Sequence, residues 1–383
     1  MQKKLIALAI AGLASTGALA QTNVTIWGVA DVGYANGSSD RGAATFGDAK
    51  FSGLTTGVLS GSRLGFRAQE DLGGGMTAGA LYEFGTLGPD GGAAASVASV
   101  SGMGSIRQSY VFLSGKDWGT VQAGRIYTPG TNTFLKFEAE NGAYFGPNNR
   151  LATGINNTID GGSDRSRLNN SVAWLSPNWS GFSGQVQYSF GENGNAAVGT
   201  TDDQRFWGLG VDYTKGPLAV GVAYHNFNDY LGTVAGAATR DLTEWIVGGS
   251  YDFGMVKLFG SYQDFDGDNM ASIGGAAAAL AKIDGDLYQI GASIPVFKVG
   301  TITVSYADLD RNTTSAAGVK SSADADGWGI SYRHNLSKRT TLYIGYNDIS
   351  NDRGSVISVG AGLGAPDAGK DSSGYAMGMR HTF

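Results

Sequence analysis

The sequence predicts an all-β fold: a 16-stranded antiparallel transmembrane β-barrel with its third extracellular loop folded inward. Three observations lead there. Segments of about ten residues alternate apolar and polar character along the chain, as in TIWGVADVGYA (25–35), RFWGLGVDYTK (205–215) and PLAVGVAYHNF (217–227). Such a period of two marks a strand with two unlike faces. The connections between these segments alternate short and long, and the chain stops inside a strand on an aromatic residue, GYAMGMRHTF (374–383).

The first twenty residues stand apart. Lys3 and Lys4 form a basic start, Leu5 to Leu13 is apolar, and Ala18-Leu19-Ala20 gives a small-x-small cleavage site before Gln21. That is the pattern of a secretory signal peptide, so residues 1–20 are set aside and 21–383 form one barrel domain. Without Lys3 and Lys4, 25 basic residues face 33 acidic ones, a formal charge of −8.

Sixteen alternating segments follow, near residues 23–35, 59–70, 75–87, 105–115, 119–127, 165–176, 181–190 and 204–214, then 217–228, 241–252, 254–265, 284–294, 299–308, 325–335, 338–349 and 372–383. About 23 residues per strand and connection suits a membrane-crossing strand of roughly 9–11 residues plus a loop. Long polar connections fall near 36–58, 88–104, 128–164, 191–203, 229–240, 266–283, 309–324 and 350–371, with tight turns between them. Short turns at one rim and long loops at the other is the arrangement of outer-membrane barrels. Closure is required because an open edge in hydrocarbon leaves unpaired N–H and C=O groups, each costing several kcal/mol. A barrel of this many strands is too wide for side chains to fill, so its polar face lines water. In the last strand, Tyr375, Met377, Met379, His381 and Phe383 share one face, and Tyr375 and Phe383 are placed to serve barrel closure and assembly.

The composition excludes several classes. No apolar run of 18 residues follows residue 20, which rules out helical membrane spans. An acidic balance with no basic cluster argues against nucleic acid. Three histidines and no cysteine give neither a metal centre nor a catalytic set, so no enzyme and no cofactor is expected. His225 reads as a solvated lumenal side chain. DFDGDN (264–269) lacks the Glu at position 12 of a calcium loop and reads as an acidic external loop.

The functional candidates sit in two places. SRLGFRAQEDL (62–72) puts Leu64, Phe66 and Ala68 on one face and Arg63 and Arg67 on the other, toward water. SIRQSYVFLSG (105–115) places Arg107 on the face opposite Gln108, Tyr110 and Phe112, and GTVQAGRIYTP (119–129) adds Arg125. These four arginines are expected to form a basic wall. The longest connection, 128–164, holds Glu138, Glu140, Arg150 and Asp160 among aromatics. A loop of that length is usually functional. Folded inward, it would narrow the channel and set acids opposite the arginines, creating a transverse field that sorts ions by sign.

QTNVTIWGVADVGYA (21–35), SRLGFRAQEDLGGGMTAGALYEFG (62–85), VFLSGKDWGTVQAGRIYTP (111–129) and the terminal Phe383 resemble the general porins of Gram-negative β-proteobacteria. The resemblance implies a homotrimer of 16-stranded barrels in the outer membrane, in contact with lipid and lipopolysaccharide, passing ions and small hydrophilic solutes. It matches Arg63, Arg107 and Arg125 to the family's basic wall and implies a weak preference for anions. The loop reads KFEAENGAYFG (136–146) where some relatives carry Pro-Glu-Phe-Gly-Gly, so which acid faces the pore stays open. Alternatives are a substrate-specific channel of the same fold, or a non-conducting structural or adhesion barrel.

Overall fold

The computed structural model describes residues 23–42, 47–85, 88–89, 106–152, 166–190, 205–228, 241–268, 280–315, 317–352, 354–360 and 363–383. The signal peptide and Asp160 lie outside them.

The strands are β1 (Asn23–Ser39), β2 (Ala49–Thr56), β3 (Arg63–Gly73), β4 (Met76–Gly85), β5 (Ile106–Gly115), β6 (Gly119–Tyr127), β7 (Arg167–Leu175), β8 (Phe182–Ser189) and β9 (Arg205–Lys215). They continue with β10 (Leu218–Asn228), β11 (Asp241–Asp252), β12 (Lys257–Asp268), β13 (Leu280–Val296), β14 (Gly300–Ser315), β15 (Lys320–Ser322), β16 (Ala325–Asn335), β17 (Thr340–Asn351) and β18 (Ser372–Thr382). Every pairing is antiparallel between barrel neighbours, and β18 pairs with β1, which closes the sheet.

These eighteen segments occupy sixteen positions. β2 pairs with the Val32–Ser39 half of β1 and β3 with the Asn23–Val29 half, so the two are one interrupted strand. β15 and β16 likewise share β14. Two stretches expected as loop, 36–58 and 309–324, therefore contain strand. Their Ser- and Thr-rich, weakly alternating sequence hides it, because above the membrane a strand has no apolar face to reveal. Asp264–Asp268, expected in an external loop, is the end of β12.

The break between β2 and β3 is held by Asp31, fully buried on the inner face of β1. Its carboxylate accepts hydrogen bonds from the backbone N–H groups of Leu59 and Ser60 (both 2.8 Å) and from the Tyr343 hydroxyl (2.7 Å). Three donors satisfy a charge that would otherwise be costly to bury.

Outside, the apolar set of each strand stands exposed, for example Val220 and Val222 on β10 and Ile344 on β17. Near the long-loop rim an aromatic belt runs from Tyr188 on β8 to Tyr34 on β1, one ring at each barrel position. Rings that are apolar in body and polar at the tip belong at a membrane–water interface. Tyr375 lies in this belt, 6.4 Å from Tyr34. Phe383 extends the closing seam: its N–H and C=O bond Gly28 at 3.1 and 3.0 Å.

Candidate functional site

Inner and outer faces can be assigned by register, since residues directly opposite on neighbouring strands share a face. Asp31 on β1 pairs with Arg380 on β18, and Trp27 with Gly65 on β3. Gly65 pairs with Glu83 on β4. The face carrying Asp31, Arg63, Arg67, Glu83 and Arg380 is therefore the inner one, while Phe66 and Tyr82 point out.

Arg107 reaches this face through an irregularity. Between Glu83 and Phe84 the β4–β5 register shifts, so that Glu83 meets Gln108 and Phe84 meets Ile106, leaving Arg107 as the extra residue of a β-bulge. The bulge turns Arg107 inward, where its Nε donates to Glu83 Oε1 at 2.6 Å and its Nη2 to the Tyr127 hydroxyl at 2.6 Å. Gln108, Tyr110 and Phe112 face inward too, so the strict alternation expected for this strand does not hold.

Arg125 is a correction. It pairs with Ser109, which pairs with outward-facing Tyr82. β6 alternates without interruption from exposed Val121 through Ala123 to Arg125, which sets the guanidinium on the outer face. There Nε donates to the Ile106 carbonyl (3.0 Å) and Nη1 to Asn169 Oδ1 (2.7 Å). The short, weakly alternating pattern of GTVQAGRIY gave no phase to follow.

Two arginines the sequence reading did not include stand near this wall. Arg380 lies within electrostatic reach of Arg63, Asp31 and Arg333. Arg333 on β16 is tied to the long connection described next. What the sequence hides is that closure brings residue 380 within electrostatic reach of residue 63.

The connection after β6 forms helix α1 (Pro129–Phe137), a turn, and helix α2 (Pro147–Leu151). Thr128 caps α1, its side chain accepting from the Thr131 N–H, with Pro129 in the first turn where no partner is lost. The segment packs on the inward-facing residues of β8 to β18. Gly130 N–H donates to His225 Nε2 (2.8 Å), Asn132 to Gln185 (2.7 Å), and Gln289 to the Phe137 carbonyl (2.7 Å). His225 is fully buried beside Phe206 and Phe227, with Nδ1 3.4 Å from Glu244, so it is a latch for α1 and not a solvated side chain.

Glycines make this approach possible. A Cβ at Gly248 would stand 2.7 Å from the Phe137 Cβ, and one at Gly345 would stand 2.6 Å from the Phe145 ring. At Gly329 the clash would be with the Phe145 carbonyl oxygen itself. Phe134, Phe137 and Phe145 are completely buried in return, each stabilising the docked segment by about 1.5–3 kcal/mol.

Among the described residues of this connection, neither Glu138 nor Glu140 faces open space. Glu140 is buried, accepts from Ser331 (2.7 Å) and pairs with Arg333. Glu138 is buried with Oε2 accepting from the Gly142 N–H (2.7 Å) and Oε1 unpaired. Burial, with the Glu140 charge beside it, pushes its pKa up to about 7. Arg150, expected at the constriction, instead donates to the Ser358 carbonyl (3.2 Å) in the connection after β17, tying two connections together.

Among the described residues, the segment therefore covers β8 to β18 and leaves the inner wall of β3–β6 uncovered. There and on the adjoining β1, Glu83 and Asp31 are nearly or wholly buried, while the side chains of Arg63 and Arg107 are about one-fifth exposed. Glu83 pairs with Arg107 (2.6 Å) and lies 4.0 Å from Arg63, Asp31 sits within electrostatic reach of Arg380, and the exposed part of the wall is cationic.

Comparison with known proteins agrees with this architecture. The family model described as Gram-negative porin matches residues 7–354. The chain is 34% identical to outer membrane porin protein 32 of Delftia acidovorans over the full length of both, and 28% identical to an outer membrane porin of Bordetella pertussis, covering 90% of this chain and 93% of that one. Among solved structures, the anion-selective porin from Comamonas acidovorans superposes with a TM-score of 0.76 at 30% identity, covering 95% of this chain and all of the other.

Proposed function

The chain belongs to the Gram-negative porin family and is an outer-membrane β-barrel porin; from that premise we propose that it is a passive, weakly anion-selective pore for ions and small hydrophilic solutes. The carrying observation is the asymmetry of the inner wall: the docked segment, with Glu138 and Glu140 buried, lies on one side, and the partly exposed guanidinium groups of Arg63, Arg67, Arg107 and Arg380 lie on the other. In this reading residues 128–152 narrow the pore, and the remaining opening runs past a cationic surface. Anions meet a favourable potential along it, and transport needs only a concentration gradient.

Purified protein in planar bilayers tests this. Ohmic single-channel steps are expected, with a reversal potential on the chloride side in a KCl gradient. Steps blocked saturably by one solute would make the barrel substrate-specific, and silence would make it non-conducting.

We further read the protein as a homotrimer. Arg125 beside Ser109 on the outer face of β5 and β6 suits lipid poorly, since a lipid-facing arginine costs up to about 2–4 kcal/mol with depth. A neighbouring protomer would cover it. Lipid and lipopolysaccharide would contact the apolar and aromatic remainder.

Glu138 predicts a pH effect. Its ordinary value is 4.5 and its docked value about 7, so docking is favoured while it is protonated and weakens as pH rises through that window. By pH 8 the loss is on the order of 3 kcal/mol. Current noise and substate frequency are expected to increase between pH 5 and pH 8, and Glu138→Gln is expected to flatten that dependence. Equal pH dependence in the variant would clear Glu138 of the role.

A further inference from the structure

A helix leaves its first four backbone N–H positions without a partner inside it, and α1 places each of them. Thr128 N–H donates to the Ser166 carbonyl (3.0 Å), Pro129 has no N–H to place, and Thr131 N–H donates to the Thr128 hydroxyl (3.4 Å). That leaves the buried Gly130, whose N–H donates to His225 Nε2 on β10 at 2.8 Å. The imidazole therefore completes the cap and ties the start of the docked segment to the barrel wall.

A backbone N–H can only donate, so Nε2 must be the unprotonated nitrogen of the ring, and the proton of a neutral imidazole is then on Nδ1. Nδ1 lies 3.4 Å from Oε2 of Glu244, which stands directly opposite His225 on β11. Both side chains are wholly buried. Elsewhere the ring meets Phe206 and Phe227, and Gly208 on β9, where a Cβ would come within 3.1 Å of the imidazole carbon Cδ2. Among the described residues, Glu244 is the charged group that faces the ring.

We propose that Glu244 is a positioning residue for the docked segment: it acts through His225, holding the imidazole proton on Nδ1 so that Nε2 stays open to Gly130 and α1 stays seated. Which ring nitrogen carries the proton is set by the hydrogen bond the other makes. An ionised carboxylate can only accept, so Glu244 selects the one tautomer the contact needs. A protonated Glu244 would donate to Nδ1 and force the other tautomer. With the ring proton on Nε2, two N–H groups would face each other, and the Gly130 donor would be buried without a partner, the costly arrangement. The carboxylate charge also lies toward the positive end of α1, which favours seating.

This role bears on transport through the reading that residues 128–152 narrow the pore, but its tests do not need a conducting pore, so the two can fail separately. The chain has three histidines. Imidazole nitrogen NMR of protein carrying isotope-labelled histidine can therefore be assigned by single substitutions at His334 and His381. At pH 7 His225 is expected to carry its proton on Nδ1, and a proton on Nε2 would overturn the role. Seating is read separately, because the chain has no cysteine and Thr133 on α1 is buried. The rate of thiol labelling at Thr133→Cys then follows the undocked fraction. Glu244→Leu is expected to raise that rate about tenfold. His225→Gln, whose amide oxygen can take the place of Nε2 as acceptor, is expected to label as slowly as wild type. In that background Glu244→Leu is expected to add little, since an amide has no tautomer to fix. An equal rise in both backgrounds, or no rise in either, would overturn the role. If Glu244→Leu does not fold, Glu244→Gln replaces it: its amide can turn either its oxygen or its nitrogen to the ring, so both tautomers are expected in the spectrum, and an unchanged spectrum would overturn the role.

Discussion

Replacing Arg63, Arg107 and Arg380 together by glutamine is expected to move the reversal potential from the chloride side to the potassium side in a tenfold KCl gradient. Such a gradient is worth about 1.4 kcal/mol per monovalent ion, or about 60 mV at 2.3 kcal/mol per 100 mV, which bounds the potential on either side of zero. Removing the three guanidinium groups leaves Glu83 and Asp31 without their cations in a narrow, low-dielectric passage. A swing of several tens of millivolts follows, because charges at a constriction act on every ion that crosses it. Arg125→Gln is the internal control: its guanidinium is on the outer face, and the potential should stay where it was. A triple variant that remained as anion-selective as the wild type would refute the cationic wall.

The second large effect concerns the docked segment. The double variant Gly248→Leu, Gly329→Leu puts side chains where the Phe137 Cβ and the Phe145 carbonyl now lie. Overpacking of this kind costs about 1–3 kcal/mol per site, comparable with what each buried phenylalanine contributes. Both positions point into the lumen from the middle of strands, so the barrel has room for the new side chains once the segment leaves. The expected outcome is a folded barrel with α1 and the following turn undocked. Single-channel conductance would rise by about twofold or more, and larger sugars would enter in a liposome-swelling assay. Unchanged conductance and size limit in a folded double variant would mean that residues 128–152 do not set the opening.

The strands were legible because each must satisfy two solvents at once, and that demand writes itself as a period of two. The sixteen positions, the alternation of short turns and long connections, and the closing role of the last strand all follow from it. The candidate site was harder to read because the face of a residue depends on counting from a known neighbour, and one bulge upsets the count. Arg107 turned inward at such a bulge, whereas Arg125 faces outward by plain alternation whose phase its small and polar neighbours hid. Glu138 and Glu140 were found as the acids of the right connection. Their burial depends on Ser331, Arg333 and a file of glycines nearly two hundred residues away, which no local pattern reports.

The seam between β1 and β18 has a consequence for biogenesis. The partner of the first strand is β18, about 340 residues further along the chain, so a fragment lacking β18 cannot form the ring. Until Gly28 meets Phe383, the leading edge stays open and able to recruit any other extended chain. Closure of the ring is therefore a contact of very long sequence separation, the kind whose loop-closure entropy is met late in folding.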